Sequence, residues 1–235
     1  MVNFLIIMIL HFIGDFYLPK FKIIACKNSN ITETRNNCKQ KSLLFIFINS
    51  LLYILPFLFL FCVTKWQKVV IIMIDLLAFH FVVGAVSFGL NKKMKQSILL
   101  VLDQILHIAI LFAFYWLFEF EADFSKYEPV AKTLFAILAV IVPPSIFINK
   151  LLYDLYPKSE QGKIFEVGSI IGMFERALTL IFACYGDFAA IAIIITIKTW
   201  ARSNDLKNDE FRNKYLLGTL ASLSLALVVF LIYKL

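Results

Sequence analysis

Residues 97–120 read SILLVLDQILHIAILFAFYWLFEF, and nearly every position in this stretch is apolar. About 20 apolar residues in an α-helix cross the ~30 Å hydrocarbon core of a bilayer. In lipid the backbone must satisfy its own hydrogen bonds, which favours a helix for such a segment. The stretch therefore predicts a transmembrane helix.

The rest of the chain has the same character. Its 235 residues are 61% hydrophobic and 17% charged, with a mean hydropathy of +0.83, whereas an average soluble domain is about 45–50% apolar and ~25% charged. This composition excludes a disordered chain, a disulfide-built secreted scaffold and a collagen-like fibre. It also excludes a soluble nucleic-acid-binding protein, although the formal charge is +7 and the pI about 9.2. We expect an integral membrane protein whose first partner is the lipid bilayer.

We predict an all-α fold, a polytopic bundle of about eight (seven to eight) transmembrane helices that form one membrane domain over residues 1–235. The first and seventh segments are the weakest predictions, because the first carries Asp15 near its end and the seventh is short. Pro143-Pro144 is expected to kink or end the fifth helix. The segments are Val2–Leu18, Ser42–Thr64, Val69–Leu90, Ser97–Phe120, Val130–Ile148, Ile164–Tyr185, Phe188–Ala201 and Tyr215–Tyr233.

Basic residues in the loops predict the orientation. The loops 19–41, 91–96, 149–163 and 202–214 hold sixteen Lys and Arg residues, while the other connections and the tail hold four. Cytoplasmic loops carry an excess of Lys and Arg. We therefore place these four loops in the cytoplasm and both termini outside, in a bacterial cytoplasmic (inner) membrane.

Ionisable side chains inside the predicted helices are the candidate functional residues. Each costs roughly 2.5–3.5 kcal/mol at a helix centre on insertion scales, so such residues are rare without a role. Seven of the ten fall in the predicted cytoplasmic half of the membrane. The ten residues are His11, Asp15, Asp75, His80, Asp103, His107, Glu175, Arg176, Lys198 and Arg202.

Two pairs have helical spacing, His11 with Asp15 and Asp103 with His107, so each pair shares one helix face. Imidazole and carboxylate on one face can ligate a divalent metal such as Zn, Mn or Mg, with His80 as a ligand from a third helix. Asp15, Asp103 and His107 are then the catalytic candidates, in a metal-assisted hydrolysis. The predicted metal ligands are His11, Asp15, His80, Asp103 and His107.

Lys198 and Arg202 also have i,i+4 spacing and make a cationic face suited to a phosphate or carboxylate, such as the phosphate of a lipid. We group Gln104, Glu175 and Arg176 with them as ligand-binding candidates. For Glu175 and Arg176, however, we favour structural ion pairing over ligand binding. Glu175 is expected to meet Lys198, and Arg176 a carboxylate elsewhere.

Several segments resemble an uncharacterised bacterial membrane-protein family, domain of unknown function 3307. The matching stretches are His11-Phe12-Ile13-Gly14-Asp15-Phe16 for its H-x-x-G-D-F motif, Asp103-Gln104-Ile105-Leu106-His107 for its D-Q-x-x-H motif, Gly168–Arg176 with Lys198 and Arg202, and Leu217–Ser222. The resemblance implies a polytopic membrane protein and no established activity.

Four positions depart from the family pattern, among them Pro19 and Lys214, and the other two fall where the family has possible metal ligands. His80 is followed by Gly84 where the family usually has H-x-x-x-D, and Asn49 stands where a histidine is expected. A metal site built on the family pattern would therefore lose ligands. Besides metal-dependent hydrolysis, two hypotheses stay open: a transporter in which the same groups relay protons or ions, and a non-catalytic membrane partner or scaffold, which Gly84 favours.

Overall fold

A computed structural model of the protein describes residues 2–20, 32–91, 93–117, 124–156 and 166–234, without the side chains of 32–40. Within these ranges the chain forms helices and no strand, which confirms the all-α prediction. Six helices are long and apolar enough to cross a membrane. The two shorter apolar helices, Val2–Tyr17 and Phe188–Ala201, are the first and seventh segments, which were the weakest predictions.

Eight α-helices lie in the described ranges. The first continues as a π-helix over Ile13–Tyr17, and the second as a 3-10 helix over Leu55–Cys62. The helices are α1 (Val2–Phe12), α2 (Thr32–Ile54), α3 (Trp66–Leu90), α4 (Gln96–Leu117), α5 (Glu128–Leu155), α6 (Val167–Tyr185), α7 (Phe188–Ala201) and α8 (Asp209–Lys234).

The chain forms two compact units, Met1–Ala131 and Lys132–Leu235, inside what we predicted as one membrane domain. In the first, the N-terminal unit, α2 packs against α3, and α1 and α3 both pack against α4. In the second, the C-terminal unit, α6 packs against α7 and α8.

Several helices are longer than predicted. The second helix begins at Thr32 instead of Ser42, and the eighth at Asp209 instead of Tyr215. The loops 19–41 and 202–214 are therefore shorter than we expected, and parts of loops 19–41, 91–96 and 149–163 lie outside the described residues. Polar helix ends carry no apolar signal, so hydropathy alone placed these boundaries too far inside.

The fifth helix runs from Glu128 to Leu155 with Pro143 and Pro144 inside it. The helix therefore does not end at the two prolines, and the kink that we predicted as the alternative stays a prediction. A proline in a helix removes the hydrogen bond to the carbonyl four residues earlier. The helix continues because another group satisfies a carbonyl that the prolines leave free, as described below.

Candidate functional site

Polar side chains from all four helices of the N-terminal unit meet in one buried group, which we call the His–Asp cluster. His11 and His107 are essentially inaccessible, and Asp15 and His80 are buried. The structure thus brings together all five residues that we predicted as metal ligands. The cluster consists of His11, Asp15, Lys20, Ser50, Tyr53, His80, Asp103, Gln104 and His107.

The first helix supplies His11 and Asp15, with Gly14 between them. A Cβ at Gly14 would lie 2.5 Å from the main-chain oxygen of Tyr53, so only glycine lets this segment approach the second helix so closely. Asp15 lies in the π-helical turn, a rare geometry that is frequent at functional sites. The H-x-x-G-D-F motif therefore combines two cluster side chains with the close contact that positions them.

The Asp15 carboxylate lies at the centre of the cluster. Its Oδ1 accepts a hydrogen bond from Lys20 Nζ at 2.5 Å and lies 3.8 Å from His80 Nε2. Its Oδ2 accepts from Gln104 Nε2 at 2.6 Å. Lys20 is half exposed, so one end of this buried group of side chains reaches the protein surface.

Gln104 fixes the hydrogen-bonding direction of His11. Its amide nitrogen donates to the carboxylates of Asp15 and Asp103, which can only accept when ionised. The amide oxygen must therefore accept from His11 Nε2, 3.2 Å away. A neutral His11 then accepts at Nδ1 from the Tyr53 hydroxyl at 3.1 Å.

Ser50 fixes His80 in the same way. The Ser50 hydroxyl donates to the Ile46 carbonyl at 2.9 Å, so its oxygen accepts from His80 Nδ1, also at 2.9 Å. A neutral His80 would then present the lone pair of Nε2 to the Asp15 carboxylate. Two acceptors face each other favourably only when a proton lies between them, so His80 and Asp15 form a place where a proton can bind.

His107 contributes a nitrogen that has no hydrogen-bond partner in the described part of the chain. Its Nδ1 donates to the Asp103 carbonyl at 2.8 Å, which leaves a lone pair on Nε2 of the neutral ring. This Nε2 is buried and has no hydrogen-bond partner among the described residues. The rings of His11 and His80 lie 5.4 and 5.3 Å from the His107 ring, so the free nitrogen belongs to the cluster interior.

The described residues contain no group of three or more His, Cys, Asp or Glu side chains arranged to hold a metal ion. Both nitrogens of His11 and the Nδ1 of His80 already have other partners, so of the six histidine nitrogens the Nε2 atoms of His80 and His107 keep a lone pair. A metal needs several lone pairs directed at one point. The five residues are close together, but the metal stays a prediction.

In the C-terminal unit, Lys198 Nζ donates to Glu175 Oε2 at 2.5 Å, which confirms the predicted pairing. Arg202 lies at the end of α7, where it is exposed and 3.5 Å from Asp205. Each cation of the predicted Lys198–Arg202 face thus has a carboxylate of its own.

Arg176 has partners that we did not predict. Its guanidinium donates to the main-chain oxygens of Val140 and Ile141 at 2.7 and 2.8 Å and to the hydroxyls of Ser145 and Ser222. Pro144 has no N–H to donate to Val140, its partner four residues earlier. Arg176 therefore satisfies a carbonyl that a proline leaves free inside an apolar helix, where we expected a carboxylate as its partner.

Sequence reasoning missed Lys20, Ser50 and Tyr53 as members of the His–Asp cluster. Lys20 lies five residues after Asp15, where the sequence predicts the start of a basic loop. Ser50 and Tyr53 share one face of the second helix at i,i+3 spacing, but neither is ionised at neutral pH. A search for charged residues could not find them, whereas a search for polar residues at helical spacing could have.

Residues 3–135 match a family model described as a protein of unknown function, DUF3307. The chain belongs to this family. The DUF3307 match includes every residue of the His–Asp cluster, while Gly168–Arg176 and Leu217–Ser222, which we also compared with the family, lie outside it. No curated protein and no solved structure matches the chain.

Proposed function

We propose that this DUF3307 protein is an integral protein of the bacterial cytoplasmic membrane whose His–Asp cluster binds and relays protons, as part of proton-coupled transport. Chains of Asp, Glu and His within membrane segments are the usual carriers of protons in pumps and transporters. Histidine suits this role because its ordinary pKa lies near physiological pH.

One observation carries the proposal, the double environment of Asp15 Oδ1. This oxygen accepts from the half-exposed Lys20 at 2.5 Å and faces the buried His80 Nε2 at 3.8 Å. A proton reaching Oδ1 from the surface side can pass to Nε2 after a small approach of the two side chains, since proton transfer needs about 2.6–3.2 Å.

Beyond His80, the cluster offers further acceptors. The Ser50 hydroxyl lies at the other nitrogen of the ring, 2.9 Å from Nδ1. His107 lies against the His80 ring, and its Nε2 has no hydrogen-bond partner within the ranges that the structure describes. An unpaired buried nitrogen costs free energy, and a site that takes up a proton gives a reason for keeping it.

Metal-dependent hydrolysis has less support. Both nitrogens of His11 and the Nδ1 of His80 already take part in hydrogen bonds with Tyr53, Gln104 and Ser50. This leaves two of the six histidine nitrogens, His80 Nε2 and His107 Nε2, with a lone pair for a metal. The scaffold hypothesis gives no reason for burying Asp15 and three histidines together at the insertion cost that such residues carry.

Proton flux into proteoliposomes tests the proposal. The purified protein is reconstituted with an entrapped pH-sensitive dye, and a membrane potential is imposed. We expect dye acidification well above that of protein-free vesicles. Asp15→Asn should lower the rate at least about tenfold, because the acceptor oxygen can no longer be ionised.

Asp187→Asn is the matched control, since Asp187 is an exposed carboxylate that caps α7 by accepting from the Ala190 amide, and asparagine caps equally well. Its flux should equal that of the unchanged protein. Equal fluxes for Asp15→Asn and the unchanged protein would refute the relay. A flux that appears only after a divalent metal is added would favour the metal hypothesis.

A further inference from the structure

The C-terminal unit has an open pocket of about 260 Å³ with many polar lining residues, walled by α5, α6, α7 and α8. A single water needs only roughly 10–15 Å³ of such space, so a larger group fits. Polar groups are costly in helices apolar enough to cross a membrane, and several of them line this one pocket. The polar lining residues include Ser145, Asn149, Ser169, Arg176, Lys198, Thr219 and Ser222.

Two cations contribute to the wall. Arg176 is buried, and its hydrogen bonds to Val140 and Ile141 hold the guanidinium in place. Lys198 is partly buried and pairs with Glu175. An ammonium group has three donors, so Lys198 can bind a second acceptor while Glu175 stays in place.

Neutral donors complete the lining. Ser222 Oγ accepts from Arg176 Nη1 at 3.2 Å, which leaves its own hydrogen to donate. Gly168 and Ser169 lie in the first turn of α6, where backbone amides and the helix dipole favour anions. Glu166 is also a lining residue and opposes an anion, but it is exposed, and water screens its charge.

We propose that this pocket binds a phosphate group, either as free phosphate or as the head group of a phospholipid. Ammonium, guanidinium, hydroxyl and helix N-terminal amide groups are the donors that proteins use for phosphate. The proposal does not rest on the proton relay, because its residues all lie in the C-terminal unit.

Binding to the full-length protein in nanodiscs tests the site. One arm measures the binding of radiolabelled inorganic phosphate to the protein in phosphatidylcholine nanodiscs. The other arm adds phosphatidic acid to the bilayer and measures how far it reduces that binding. We expect Lys198→Gln to weaken phosphate binding about tenfold or more, as for loss of a charged hydrogen bond. Lys207→Gln, which removes an exposed lysine of the loop after α7, should leave it unchanged.

Lys198→Gln also leaves Glu175 without its ion-pair partner, so a double variant with Glu175→Gln removes both charges of the pair. It should bind phosphate as weakly as the single variant. If both variants fail to fold, Gly218→Leu provides a second test. A Cβ at Gly218 has its nearest neighbour, Leu152 Cδ1, at 3.8 Å, so a longer side chain can enter the pocket and should block binding.

The two arms separate the ligand sources. Phosphate binding without competition supports free phosphate, and competition by phosphatidic acid supports a lipid head group. Binding of neither phosphate nor phosphatidic acid to the unchanged protein would overturn the proposal. Equal affinities of folded Lys198→Gln and Lys207→Gln proteins would overturn it as well.

Discussion

At the scale of single residues, Gly14 shows how the sequence motif and the site are connected. It lies between His11 and Asp15 along the chain, and its missing side chain lets the π-helical turn touch the backbone of Tyr53. This contact keeps Tyr53 beside the first helix, with its hydroxyl 3.1 Å from His11 Nδ1. The glycine of H-x-x-G-D-F is thus a packing requirement of the cluster.

Gly14→Ala should lower the free energy of unfolding by about 1–3 kcal/mol, because the new Cβ overlaps the Tyr53 oxygen and something must move. Thermal unfolding in detergent measures the change. Gly89→Ala is the control: no atom lies within 4 Å of a Cβ there, so a neutral or slightly stabilising effect is expected. Equal effects of the two substitutions would contradict this account of Gly14.

Gly84 also has a structural explanation. A Cβ at this position would lie 2.9 Å from Ile46 Cγ2, so glycine here lets α2 and α3 pack closely. An aspartate, as in the family pattern, would need these helices to separate. The departure at Gly84 is therefore tied to helix packing, and it removes a potential ligand at the same time.

At the scale of the element, α5 is continuous through two prolines because α6 supplies a donor. Arg176 satisfies the Val140 carbonyl that Pro144 leaves free. A buried main-chain carbonyl without a partner costs about 1–3 kcal/mol. The proline pair of α5 is thus stabilised by the arginine of α6, although the residues lie in different helices.

A double-mutant cycle tests this coupling. Arg176→Gln should lower the free energy of unfolding by about 1–3 kcal/mol. The same change should cost less in a Pro144→Ala background, where the alanine N–H can bond Val140 within the helix. Thermal unfolding of the four proteins gives the coupling energy. Additive effects would show that Arg176 does not serve the proline position.

At the scale of the whole molecule, the six long apolar helices and the two shorter ones are consistent with the predicted membrane bundle. The orientation with both termini outside stays a prediction from the loop charges. Alkaline phosphatase fused after Lys234 should therefore be active, because it folds only outside the cytoplasm. A fusion truncated at Lys207, inside a predicted cytoplasmic loop, should be inactive. The reverse pattern of activity would show that the chain has the opposite orientation in the membrane.

The candidate site could be predicted in part. Charged residues inside apolar helices are visible in one sequence, so His11, Asp15, His80, Asp103 and His107 were identified before their contacts were known. The pairing of Glu175 with Lys198 was predicted as well. The partners of Arg176 were not predicted. A main-chain carbonyl that a proline leaves free on another helix produces no recognisable pattern in the sequence of α6.

The sequence by itself determined the helical membrane class, the approximate helix positions and the ionisable residues inside them. Hydropathy and the spacing of residues along a helix are local properties of the chain. Only the tertiary structure decided which hydrogen bonds those residues make. Helix packing placed Gln104 between Asp15 and His11 and placed Ser50 against His80. These contacts occupy both nitrogens of His11 and the Nδ1 of His80, whereas the Nε2 atoms of His80 and His107 keep their lone pairs. Residue types alone allow a metal site or a proton relay, and the direction of each hydrogen bond favours the relay.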